Sequence, residues 1–196
     1  MILSFLEERG FRLAEPVPGK FSVKCSSPKC VIYLMNSNAL SELVEEGVLD
    51  AALLTSGDYR EAKSFAMPLL DLNLVVGRLM LGVWAKLPSM SLRNLPIEGV
   101  LTRTPVLTKE FLEKNGLPWK MRVVRGTTES LLPVFGKKYG IVEYVRTGST
   151  MEANGITPVA TIATSSVLLI ASHQKARSQE MQKLRKMLAS KAKVSG

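Results

Sequence analysis

The chain has 196 residues, 46% of them hydrophobic, which is enough to bury a core as one domain or two small lobes and excludes a disordered chain. No apolar run reaches the roughly 20 residues that cross a bilayer. The opening Met1-Ile2-Leu3-Ser4-Phe5-Leu6-Glu7-Glu8-Arg9 carries acids where a secretion signal carries basic residues, so a cytoplasmic protein is expected. The net charge of +9 sits mostly in a tail, because residues 173–196 contribute +6 and the other 172 residues +3. Met181, Leu184 and Leu188 recur in that tail at helical spacing, and no aromatic residue accompanies them. The pattern predicts an amphipathic closing helix with a solvated basic face rather than a nucleic-acid or membrane binder. Cys25, Cys30 and the single His173 cannot assemble a zinc set, and free thiols are expected.

In chain order, Ile2 to Arg9 reads as a helix ended by Gly10. Phe21–Val23 and Cys30–Met35 read as strands around a Ser-Ser-Pro turn, and Asn38 or Ser41 is a candidate cap for a helix that runs to Glu46 and stops at Gly47. Ala51–Thr55 is strand-like. Leu69–Val76 and Arg78–Ala85 read as two apolar segments interrupted by Gly77, with Leu87-Pro88 ending the second. Strand Gly99–Thr102, helix Thr108–Asn115 closed at Gly116, and strand Met121–Val124 follow. Val159–Thr164 and Val167–Ala171 add two more strands before the basic helix. Alternating strands and helices imply a largely parallel sheet with ligands at the carboxyl ends of its strands. Arg125-Gly126-Thr127-Thr128-Glu129 follows a strand in that way, as an anion-binding turn or a plain helix cap at Thr127 or Thr128.

Residues 140–156 carry the clearest chemistry. Ile141, Val142 and Val145 suit a buried strand, and Thr147-Gly148-Ser149-Thr150 is a turn that ends in helix-capping residues. Such a junction offers free backbone N–H groups, hydroxyl donors, and at Gly148 no side chain to block approach. It reads as a phosphate cradle. Glu143, four residues before Thr147, is placed to accept hydrogen bonds from sugar hydroxyls, so acid and cradle together point to a phosphorylated ribose.

The run from Glu143 to Ile156 resembles the signature of ATP phosphoribosyltransferases: an acid, two mostly apolar residues, then x-Thr-Gly-x-Thr-Leu-x-x-Asn-Gly-Leu. It also echoes the looser phosphoribosyl diphosphate loop of other phosphoribosyltransferases, with Tyr144 in place of the second acid. Residues 40–54 match a family segment at Gly47 and Asp50, whereas Asn36 stands for the usual Arg and Ala39 for Asp. Tyr139-Gly140 stands for Ala-Asp, and Glu143 for a usual Asp. The family's opening strand with its Lys-Gly-Arg turn has no counterpart, nor has its C-terminal regulatory domain, so the chain resembles the short form.

The resemblance implies an α/β fold of two lobes with mostly parallel sheets, like a type II periplasmic binding protein, with the cleft between lobes. The lobes are expected at residues 1–82 plus 166–196 and at 83–165, the second carrying the phosphoribosyl diphosphate loop. The implied activity joins N1 of ATP to phosphoribosyl diphosphate with release of pyrophosphate, the first step of histidine biosynthesis. Glu143 would hold the ribose, Thr147, Gly148, Ser149 and Thr150 the phosphate, and Arg146 would add charge. No covalent nucleophile is assigned. Mg2+ would be bound mainly through the substrate diphosphate. A histidyl-tRNA-synthetase-like regulatory subunit and a homo-oligomer are the implied partners. A non-catalytic nucleotide- or phosphosugar-binding relative with a regulatory role is the second reading, raised by the absent Lys-Gly-Arg turn.

Overall fold

The computed structural model describes residues 2–14, 21–84 and 90–190. In chain order these form α1 (Ile2–Glu8), β1 (Arg12–Leu13), β2 (Ser22–Ser27), β3 (Lys29–Tyr33), α2 (Leu40–Glu45), β4 (Ala51–Thr55), α3 (Ser56–Glu61) and β5 (Met67–Val83). They continue with β6 (Gly99–Thr102), α4 (Pro105–Asn115), β7 (Lys120–Val123), α5 (Thr128–Phe135), β8 (Tyr139–Val145), α6 (Ser149–Ala153), β9 (Thr157–Ala171) and α7 (Gln179–Ala189). The expected turn at Leu87-Pro88 lies outside the described residues.

The chain divides into two compact units, the first Met1–Leu54, Ser64–Leu72 and Leu168–Gly196, the second Thr55–Lys63 and Asn73–Val167. Residues 55–63, 73–82 and 166–167 therefore group with the second unit, although the sequence reading put them in the first. The reason lies in β5 and β9. The apolar segments expected on either side of Gly77 are one 17-residue strand, and the two expected after residue 156 are one 15-residue strand. Gly77 does not break its strand. A Cβ there would stand 3.3 Å from the Val145 carbonyl oxygen, so the glycine accommodates a close neighbour instead.

In the first unit β1, β2 and β3 form an antiparallel sheet in which Cys25 lies opposite Cys30, both thiols being free. The apolar side of α7 is buried as its spacing predicts: Met181 clusters with Ala171 and Ala176 against Ala51, Met67, Leu69 and Leu184. Lys183, Arg185 and Lys186 stay exposed. Helix α2 differs from expectation, since its cap position is Ala39 with no side-chain cap bond, and Ser41 is buried as the second residue of its first turn.

In the second unit β6 runs parallel to β7 and to β8, while β5 pairs antiparallel with β8. Alternate strand residues face opposite sides. On one side Leu79, Leu81, Val83, Val100 and Val142 pack with Leu107 and Leu112 of α4. On the other Leu101, Ile141 and Val145 pack with Leu132 of α5 and Met151 of α6. Burial of each large side chain contributes roughly 1.5–3 kcal/mol, so both helix layers are held by the strands whose ends carry the loops described next.

Candidate functional site

Because β6, β7 and β8 are parallel, their carboxyl ends at Thr102, Val123 and Val145 share one edge, and each leads by a short loop into a helix. The third loop is the predicted cradle. Thr147, Ser149 and Thr150 are exposed, and Gly148 is half-buried with φ at +91°, a left-handed conformation that glycine adopts without the penalty a side chain would bring. The helix cap is thus Gly148 itself, one residue earlier than the hydroxyls that the sequence suggested for capping. The Thr147 and Ser149 hydroxyls consequently meet each other, 3.0 Å apart, instead of closing on backbone amides.

Helix α6 is only five residues, little more than one turn, so its dipole is short and the grip on an anion must come from amides and hydroxyls. Its seat is firm. Met151 is buried below the loop, and Gly82 of β5 leaves room for Ile156, whose Cγ2 would be 2.6 Å from a Cβ at that position.

Glu143 faces the same side as Ile141 and Val145, half-buried beside the loop. The Thr128 hydroxyl donates to its Oε2 at 2.6 Å, and the Tyr144 amide donates to its Oε1 at 3.1 Å. The turn at residues 125–129 thus joins the site through a side chain. Thr127 occupies the cap position of α5 without a capping bond, its hydroxyl instead lying 2.8 Å from Ser130 Oγ, while Thr128 is fully buried. Tyr144, in place of a second acid, points to the opposite face and packs on the cluster of Leu79, Leu107 and Val142. Its hydroxyl is buried beside Ser165, and burial chiefly raises its pKa above the ordinary phenol value, against the opposing effect of the Ser165 hydroxyl.

The first loop is closed. Both Glu61 oxygens accept amides at the start of α4, from Val106 at 2.9 Å and Leu107 at 3.1 Å. Thr102 and Thr108 hydroxyls pair at 2.8 Å, and Thr104 joins them. An internal carboxylate therefore occupies the place where an anion would approach this helix.

One feature escaped sequence reasoning. Each of the three loops carries an arginine directly after its strand or one residue beyond: Arg103, Arg125 and Arg146, all exposed and in none of the ion pairs among the described residues. Adjacent strands lie about 4.8 Å apart, so the three form one cationic edge. Only the parallel order β8, β6, β7 brings residues 103, 125 and 146 together.

Comparisons with known proteins show the family and the fold. The family model for HisG, ATP phosphoribosyltransferase, matches residues 37–190. The chain belongs to the ATP phosphoribosyltransferase family. The chain is 26% identical over 166 residues to the ATP phosphoribosyltransferase of Clostridium botulinum strain Okra, covering 84% of this chain and 74% of that one. It is 26% identical over 161 residues to the Methanosarcina barkeri enzyme, covering 82% of this chain and 55% of that one. Among solved structures, the HisG:HisZ complex of ATP phosphoribosyl transferase from Thermotoga maritima superimposes with a TM-score of 0.70 at 14% identity, over 95% of this chain and 90% of that one. A Neisseria gonorrhoeae solute receptor for L-cysteine gives 0.52 at 15% identity, over 80% of this chain and 64% of that one. These likenesses show the fold, the α/β architecture that the family shares with periplasmic binding proteins, as its signature implied.

Proposed function

We propose that the chain is the catalytic subunit of an ATP phosphoribosyltransferase, joining N1 of ATP to C1 of phosphoribosyl diphosphate with release of pyrophosphate. The observation that carries this reading is the exposed, hydroxyl-lined loop at Thr147–Thr150 beside the carboxylate of Glu143, within a chain of this family. Gly148, Ser149 and Thr150 amides with the Thr147, Ser149 and Thr150 hydroxyls hold the 5-phosphate. Each Glu143 oxygen accepts one internal hydrogen bond and keeps a lone pair for a ribose hydroxyl. Positive charge grows on the ribose as its bond to diphosphate breaks, and Glu143 both holds the ring and favours that charge. Arg146, with Arg103 and Arg125, steadies the departing pyrophosphate. The loop is the phosphoribosyl diphosphate site of the second lobe.

Among the described residues no group of three His, Cys, Asp or Glu side chains is placed to hold a metal. Mg2+ is carried on diphosphate oxygens and water, where it would neutralise leaving-group charge. The Thermotoga relative is a complex with HisZ, and a histidyl-tRNA-synthetase-like regulatory subunit is the proposed partner here, within a homo-oligomer. No helix among the described residues is long and apolar enough to cross a membrane, and cytoplasmic work in histidine biosynthesis follows from the activity.

A second reading, ligand binding without turnover, is favoured by Glu143 standing where the family usually has Asp, a longer acid that reaches the same hydroxyls with altered geometry. One assay separates the two. The protein is mixed with ATP, phosphoribosyl diphosphate and magnesium, with and without a regulatory subunit, and phosphoribosyl-ATP absorbance is followed. Product that disappears in Glu143→Ala supports the enzyme; binding without product under every condition rejects it.

A further inference from the structure

Resting on the phosphoribosyl reading, we infer that Thr128 is a positioning residue that sets the carboxylate of Glu143 for the ribose hydroxyls. A half-buried glutamate has three side-chain torsions and samples several rotamers unless something outside its own strand selects one. The Tyr144 amide cannot make that selection alone, because it belongs to the neighbouring residue of β8. Thr128 can. It lies 15 residues earlier, at the first turn of α5, and its fully buried hydroxyl places its one proton on Oε2 at 2.6 Å. A hydroxyl donating to a carboxylate is among the stronger hydrogen bonds, and it leaves lone pairs on both oxygens.

The neighbouring hydroxyl is no substitute, since Thr127 is exposed and directed to Ser130. Packing of Leu132 on Ile141 fixes α5 against β8, so the donor is held still relative to the strand it serves. Thr128 therefore touches no substrate; it acts through Glu143.

The test is a double-mutant cycle read by calorimetric titration with phosphoribosyl diphosphate and magnesium, with steady-state kinetics and thermal melts alongside. Thr128→Val, which keeps the shape and removes the donor, is expected to weaken binding about tenfold, and Thr128→Ser to restore most of it. KM for phosphoribosyl diphosphate rises in Thr128→Val while KM for ATP holds. In a Glu143→Ala background the same Val substitution has no further effect on binding, whatever it does to melting temperature. If wild type binds and Thr128→Val binds equally, or if Val costs the same factor in both backgrounds, Thr128 is merely structural and the inference is overturned. If wild type does not bind phosphoribosyl diphosphate at all, the phosphoribosyl reading fails first and takes this inference with it.

Discussion

Two loops at one sheet edge make the instructive comparison. Thr102-Arg103-Thr104 after β6 and Arg146-Thr147-Gly148 after β8 have the same chemistry, an arginine among hydroxyl residues between a parallel strand and a helix. In the first, Glu61 satisfies the helix amides and the three threonines satisfy one another. In the second, a glycine caps the helix and the hydroxyls stay exposed. The difference teaches that hydroxyls after a strand become structure when the fold buries them, and become a site when it leaves them at the surface.

Breaking the open loop should have the largest effect. Thr147→Ala is expected to lower kcat/KM by about 100-fold, as loss of a preorganised donor does. Being exposed, the position should leave stability within about 0.5 kcal/mol, which a thermal melt checks.

The closed loop should respond in the opposite sense, through stability. Gly57 anchors α3, the helix that carries Glu61, and a Cβ there would meet the Tyr144 hydroxyl at 1.7 Å. Gly57→Ala is expected to cost about 1–3 kcal/mol in urea unfolding by forcing α3 and Tyr144 apart. Glu61→Ala, which unseals the start of α4, is expected to cost about 1–2 kcal/mol. Phosphoribosyl-ATP formation per folded Glu61→Ala molecule should stay near wild type; a large loss would mean that sealing the start of α4 also positions Arg103 for the departing pyrophosphate.

Smaller effects sharpen the same contrast. Tyr144→Phe removes a buried hydroxyl that lies beside Ser165 and is expected to change stability by no more than about 1 kcal/mol. In the first unit Glu45 repeats the role of Glu61, accepting the Ser64 hydroxyl and the Phe65 and Ala66 amides. The Ser64 bond chiefly, aided by those amides, holds its pKa below the ordinary carboxylate value. Its stabilising contribution is therefore present above the unfolded pKa and lost as pH falls through the folded one. The melting-temperature gap between wild type and Glu45→Gln should shrink on acidification; a gap independent of pH would contradict this.

Much of this was legible in residue order. The period and turn chemistry of residues 140–156 pointed to β8, the loop and the buried Ile141, Val142 and Val145, because strand alternation and a glycine turn are local properties. The closing helix was legible for the same reason. Gly77 misled, because a glycine that breaks a strand and one that lies against a neighbouring backbone look alike until the neighbour is known.

Local pattern thus specified β6, α4, β7, α5 and β8, the alternating architecture and the acid-and-loop motif. Folding alone assigned the partners: Glu61 reaches α4 from 45 residues away, Thr128 reaches Glu143 across 15, and three arginines from separate loops stand on one edge. Propensity depends on neighbours in the chain, whereas a hydrogen bond depends on neighbours in space, and only packing converts one into the other.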